Sequence, residues 1–89
     1  MFLNLQVIHF LINRLMERET QNRVTYIIYC VSAFANRYGL SNKQAYSYLN
    51  RFKGVQFLEE CYEAEHLLSI NDAIDDLSVI CHHNGGALV

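Results

Sequence analysis

The spacing of apolar residues predicts helices along most of the chain. Residues 22–38 repeat apolar side chains every three or four positions, as one face of an α-helix does. The positions with this spacing are Val24, Ile27, Ile28, Val31, Ala35 and Tyr38, and the face is widened by Tyr26, Cys30, Ala33 and Phe34. Gly39 follows, and we expect it to end this central helix in a left-handed conformation.

Residues 3–16 are apolar on almost every side, a pattern that fits either a helix or a strand. The length of the stretch and the charged residues after it favour a helix, which would need partners on more than one side. Nothing between Arg14 and Asn22 breaks a helix outright. A continuous helix over residues 3–38 would be about 54 Å long, however. Because that exceeds the size of a small domain, we expect a break near Thr20.

Capping signals divide the second half of the chain. Ser41 and Gln44 have capping-box spacing, which predicts a helix that begins at Ser41 and ends at Gly54. Its inward face is expected to contain Ala45, Tyr48, Leu49 and Phe52. A short helix over about 55–66 should follow. Its inward face would contain Leu58, Cys61 and Tyr62, and its outer side Glu59, Glu60, Glu63 and Glu65.

The last predicted helix begins after Ser69, with Asp72 at the third helical position. Its core stripe is expected to contain Ile70, Ala73, Ile74, Leu77 and either Ile80 or Cys81. Asn84, Gly85 and Gly86 should end it. The chain has 89 residues and no proline, which favours a single all-α domain over residues 1–89. We expect a compact bundle of four to five helices. The alternative is the same bundle with a long N-terminal helix that is used for dimerisation.

Composition favours a cytoplasmic protein. The three cysteines, at positions 30, 61 and 81, lie in apolar stretches without close pairing, which is typical of free thiols in a reducing compartment. The N-terminus lacks the basic region and the cleavage site of a secretion signal. No run of eighteen apolar residues predicts a membrane span, so we expect no membrane partner.

Charge is divided unevenly along the chain. Up to Lys53 there are seven basic and two acidic residues, a net +5, whereas the rest has seven acidic and no basic residues, a net −7. Either the two halves pack against and screen each other, or the surface has two poles that bind oppositely charged partners. We favour the first interpretation, because helix packing mixes the halves.

His66 is the candidate for chemistry, since it lies among carboxylates at a junction between two predicted helices. One hypothesis makes it a general base paired with Glu63 or Asp72. We favour a structural role, in which it binds backbone groups of the turn or sits as a cation at a helix C-terminus. The adjacent residues Cys81, His82 and His83 point in different directions on a helix and do not converge on one ion. We therefore expect no catalytic residue, metal or cofactor.

Two surfaces are candidates for binding. Tyr29 and Tyr46 lie off the main apolar stripes, so we expect them to be exposed and to serve a protein interface. The order of helix, glycine turn and capped helix around residues 38–52 also resembles a helix-turn-helix. Lys43, Arg51 and Lys53 would then contact phosphates, and base contacts would come from Asn42, Lys43, Gln44 and Ser47. The net charge of −2 disfavours nucleic acid, which we keep as the alternative partner.

Three stretches resemble a bacterial family, domain of unknown function 3791. They read YIIYCVSAFANRYGLSNKQAYSYLNRF, FLEECYEAEHLLS and INDAIDDLSVICHHNGG, and the resemblance covers residues 22–86. It implies a family-like core over 22–86 with residues 1–20 as an N-terminal extension. Its most distinctive stretch contains Tyr62 and His66, and we expect these two residues to contribute to partner binding together with Tyr29 and Tyr46.

The resemblance implies a non-enzymatic partner protein, often encoded beside another small protein and similar to an antitoxin. We therefore expect an interaction module that binds a neighbour-encoded protein. The surplus apolar surface of residues 2–15 predicts that it also forms a homodimer.

Overall fold

The computed structural model describes residues 4–88, and within them it is all-helical, as predicted. Five helices follow one another: α1 Leu5–Tyr38, α2 Asn42–Arg51, α3 Gly54–Glu60, α4 Tyr62–Glu65 and α5 Ile70–His83. The long N-terminal helix makes the molecule elongated, with principal extents of 59 × 22 × 21 Å. Leu3, which was predicted to lie in the first helix, is outside the described residues.

The break expected near Thr20 is wrong, since α1 continues without interruption for 34 residues. Asn4 begins this helix by accepting a hydrogen bond from the backbone N–H of Gln6 at 2.9 Å. Residues around Thr20 contain no proline or glycine, and Glu19 forms an ion pair with Arg23 one turn later at 3.1 Å. Gly39 ends the helix at φ 65°, in the left-handed conformation that was predicted.

The first part of α1 extends away from the other helices. We call residues 5–22 the arm and residues 23–88 the body. Every residue of the arm is exposed except Ile8, which is half-buried. The prediction that Val24 and Ile28 face the core is also wrong, because they are 50% and 60% exposed. The other helices pack against the face of α1 that contains Cys30 and Phe34. The side chains of Val24 and Ile28 therefore point away from the core.

The core lies where the second half of α1 meets α2, α3 and α5. Its largest fully buried side chains come from all four helices: Cys30, Phe34, Leu49, Leu58, Ile74, Leu77 and Cys81. Cys81, and not Ile80, therefore completes the stripe of α5. The capping box of α2 is confirmed, since Ser41 and Gln44 exchange side chain to backbone hydrogen bonds of 2.9 and 3.1 Å. Ser69 caps α5 through the N–H of Asp72 at 3.1 Å.

The segment between α2 and α5 differs from the prediction in two ways. Gly54 begins α3 and does not end α2, while Lys53 takes the left-handed conformation at φ 67°. A Cβ on Gly54 would lie 2.8 Å from Leu49 Cδ2 and 3.1 Å from Cys81 Sγ, so this close packing requires glycine. The single helix expected over 55–66 is divided at Cys61 into α3 and α4.

Candidate functional site

His66 is engaged with the backbone of its own junction. Its Nδ1 donates to the carbonyl of Tyr62 at 2.6 Å, and its ring stacks on the Tyr62 ring at 4.4 Å between centroids. This is the structural role that the sequence favoured. A carbonyl oxygen only accepts, so Nδ1 carries the proton and cannot act as a base there. Among residues 4–88, His66 forms no ion pair with Glu63 or Asp72.

Arg23 connects this junction to α1. Its guanidinium contacts Glu63 at 3.0 Å and Glu19 at 3.1 Å, and its Cζ lies 4.7 Å from the centre of the Tyr62 ring. Tyr62 also meets Tyr26 edge to face at 5.5 Å. The junction is thus held against α1 by charge and aromatic packing together.

A second ion pair also links the two oppositely charged halves of the chain. Arg37 in α1 binds Asp75 in α5 at 2.6 Å, and its other nitrogen donates to the carbonyl of Asn71 at 3.2 Å. Together with Arg23 and Glu63, this pair shows that the basic half packs against the acidic half. That arrangement agrees with the interpretation in which the halves screen each other.

Buried polar groups lie between α1, α4 and α5. Glu65 was predicted on the outer side of its helix, but this is wrong, since it is only 6% exposed. Burial and the neighbouring Asp76 carboxyl raise the pKa of Glu65 to about 7. One of its oxygens and the hydroxyl of Tyr26 have no hydrogen-bond partner within the described part of the chain. Burial also raises the pKa of the Tyr26 hydroxyl and of the Cys30 thiol.

The stretch of Cys81, His82 and His83 is split between the interior and the surface. Cys81 is fully buried, and burial raises the pKa of its thiol to about 11. His82 and His83 are exposed, with their rings 6.3 Å apart. Residues 4–88 contain no group of three His, Cys, Asp or Glu side chains that could hold a metal ion.

Comparison with known proteins identifies the family. A family model described as "Protein of unknown function (DUF3791)" matches residues 25–84. The chain belongs to this family. The matched family segment contains the C-terminal part of α1 and all of α2 to α5, whereas the arm precedes it. No curated protein and no solved structure matches the chain significantly.

The four predicted partner-binding residues lie at one ring stack and in two grooves that share Ser32 and Asn42. Tyr62 and His66 stack on each other at the junction of the family segment. Tyr46 lines a groove of about 330 Å³ beside Ile28. Tyr29 lines a different groove, of 680 Å³, beside Ile70. Tyr29 and Tyr46 are 59% and 48% exposed, as predicted. A shared role in binding remains a prediction.

The three predicted phosphate-contacting residues are also dispersed. Lys43 is the second residue of α2 and Arg51 is its last, so they lie about 12 Å apart along the axis. Lys53 occupies the turn before α3. The Arg51 guanidinium lies 5.3 Å from the centre of the Phe52 ring. None of the three forms an ion pair within residues 4–88.

The arm displays the largest set of exposed apolar side chains in the described structure. Leu5, Phe10, Leu15 and Met16 are 61–73% exposed, and Val7, Leu11 and Ile12 are 44–50% exposed. The sequence indicated this surplus of apolar surface, but it did not indicate that the arm extends away from the body. Of the helices in residues 4–88, none is both long enough and apolar enough to cross a membrane.

Proposed function

We propose that the protein is a non-enzymatic interaction module that binds another protein through its arm. The observation that supports this is the exposed apolar surface of the arm. Leu5 is 73% exposed and Leu15 is 64% exposed, although both belong to one regular helix. Contiguous apolar surface of this kind marks protein or membrane contacts.

The magnitude of this surface argues for a partner. Full burial of one Leu, Ile, Met or Phe side chain contributes ~1.5–3 kcal/mol. The arm exposes seven large apolar side chains by about half or more, so covering them would contribute on the order of 5–10 kcal/mol. Most helical stability in proteins comes from packing against other elements, so a partner that packs on the arm would stabilise it.

The ionisable groups support a role without catalysis. Glu65, Cys30 and Cys81 have raised pKa values because they are packed inside the body. His66 donates its Nδ1 proton to the backbone carbonyl of Tyr62. Each of these groups has a structural explanation in the packing of the body.

A neighbour-encoded protein is the partner we propose, in an antitoxin-like relationship. Binding of the purified neighbour can be measured by calorimetry against the native chain and against a Phe10→Lys, Leu15→Lys variant. We expect the variant to lose binding. A Gln21→Lys variant is the control, since Gln21 is an exposed polar residue of the same arm. Equal binding by all three chains would contradict a role for the arm.

DNA binding is a second candidate, supported by three cations without ion-pair partners in residues 4–88: Lys43, Arg51 and Lys53. A gel-shift assay with the DNA upstream of the gene tests it. A triple alanine variant at these positions should bind more weakly and show a shallower dependence on salt. Absence of a shift with the native chain at low salt would remove this candidate.

A further inference from the structure

The apolar side chains of the arm include one row with the spacing of a coiled-coil seam. Leu5, Ile8, Ile12 and Leu15 follow each other at intervals of three, four and three residues and lie on one side of α1. Three members of this row, Leu5, Ile12 and Leu15, are 73%, 50% and 64% exposed. The next position of the row is Glu19, so its apolar part ends at Leu15 within the described helix.

We propose that the arm binds the arm of a second copy of this chain, with the two helices antiparallel. Leu5 of each copy then packs against Leu15 of the other, and Ile8 packs against Ile12. This inference rests on the proposed function of the arm as a binding surface. It adds a second copy of the chain as a further partner and gives the orientation of the two arms.

The row is complementary to itself in this orientation. A twofold axis beside residue 10 pairs each of its four residues with another apolar residue, and none is left opposite a polar side chain. Leu11 flanks the row and meets Leu11 of the second copy near the axis. By the same symmetry, His9 lies beside His9 of the second copy on the opposite flank, at the edge of the seam that faces solvent.

The parallel orientation brings like charges together. Each row position would then face the same position of the second copy, so Glu19 would oppose Glu19. Arg18 would also face Arg23 of the second copy across the flanking positions.

The antiparallel pair also fits the shape of the molecule. Arg23, where the body begins, follows Leu15 by eight residues, or about 12 Å of helix. The arm of the second copy therefore ends before it reaches the body. The row with Leu11 and Met16 offers roughly 300–400 Å² of apolar surface per copy. A standard interface buries ~800 Å² per partner, and a little over half of that area is apolar. The apolar area of the arm is therefore similar to that of a standard interface.

Sedimentation velocity over a series of concentrations tests the pairing. We expect a reversible dimer with a micromolar dissociation constant. Ile12→Lys places a charge in the seam twice per dimer and should weaken association by ~100-fold or more. Phe10→Lys is the matched control, because Phe10 points about 160° away from Ile12 and is 64% exposed. It should leave the dimer intact.

Disulfide trapping tests the orientation. A Leu11→Cys variant should form a covalent dimer under mild oxidation, whereas Glu19→Cys should not. The native chain, treated in the same way, controls for the half-buried Cys61. Trapping through Glu19→Cys alone would show a parallel pair and overturn the proposal.

Failure of this inference and failure of the proposed function give different results. A native chain that stays monomeric at all concentrations, or a dimer that survives Ile12→Lys, overturns the antiparallel pairing. The proposed function would still hold if the neighbour-encoded protein bound the native arm and not the Phe10→Lys, Leu15→Lys variant.

Discussion

The carboxyl group of Glu65, the last residue of α4, lies against the carboxyl group of Asp76 in α5. Two carboxylates cannot hydrogen-bond to each other unless one carries a proton. Tyr26 and Cys30 of α1 are the titratable groups that face Glu65 from the other side, and burial holds both of them neutral. Glu65 therefore keeps its proton in the packed structure to a higher pH than a solvent-exposed carboxyl group does.

This contact predicts that stability falls as pH rises. The pKa of Glu65 is raised from its ordinary value of 4.5 to about 7, so the folded chain binds the proton more tightly than the unfolded chain. The contribution is complete below the unfolded pKa and is lost as pH rises through about 7. We expect the free energy of unfolding to fall by about 1–3 kcal/mol between about pH 5 and about pH 8, measured by urea denaturation.

Glu65→Gln is the control for this effect. Glutamine keeps a donor for Asp76 but does not titrate, so the variant should lose most of the pH dependence. The histidines are unchanged in both chains, and their contribution cancels in the comparison. An equally steep pH dependence in the variant would assign the effect to another group.

Gly86→Ala is predicted to destabilise the body. A Cβ at this position would collide with the hydroxyl of Tyr48 and lie 2.9 Å from the carbonyl oxygen of Cys81, which the backbone holds in place. We expect a loss of about 1–3 kcal/mol in the free energy of unfolding, measured in urea. Ala87→Gly, at the next and exposed residue, should cost less than about 1 kcal/mol. Equal losses would indicate chain flexibility and not a steric clash.

The ion pair between Arg23 and Glu63 is predicted to contribute modestly. The Arg23 side chain is 34% exposed and that of Glu63 is 75% exposed, so water and salt screen the pair. A double-mutant cycle with Arg23→Ala and Glu63→Ala should give a coupling energy of ~0.2–1 kcal/mol that decreases at high salt. Arg18→Ala, in the arm, is the control and should change stability by less than ~0.5 kcal/mol. A larger coupling that persists in salt would contradict this.

His66→Ala is predicted to weaken the junction without removing an activity. The variant loses the hydrogen bond to the Tyr62 carbonyl and the ring stacking, which together should cost ~1–2 kcal/mol in thermal or urea denaturation. His83→Ala, at the exposed end of α5, should have almost no effect. If the variant kept native stability but lost binding of a small molecule that the native chain binds, His66 would again be a candidate general base.

Deletion of residues 1–18 is predicted to leave the body folded. The deletion retains Glu19 and its ion pair with Arg23, and the described residues it removes bury almost nothing against the body. Stability and the urea m-value should both stay within about 10–15% of those of the native chain. The measurement also tests the predicted division into an N-terminal extension over 1–20 and a core over 22–86. A strong loss of stability would show that the arm belongs to the folding unit.

Features with local causes could be predicted from the sequence. The capping box of Ser41 and Gln44, the cap at Ser69 and the left-handed Gly39 depend on residues within one helical turn, so neighbouring letters suffice. The position of Gly54 was predicted wrongly because its cause is not local. Its glycine is required by contacts with Leu49 and Cys81, which are close in space but distant from each other in the chain.

The helical class, the main caps and the surplus apolar surface near the N-terminus follow from periodicity and composition alone. The continuity of α1 through Thr20, the burial of Glu65 and the exposure of Val24 and Ile28 do not. Apolar spacing marks every face that packs against something, but it carries no information about which partner covers that face. The body covers α1 only from about Arg23 onward, and the arm before it therefore has the pattern of a core helix and the position of a binding surface.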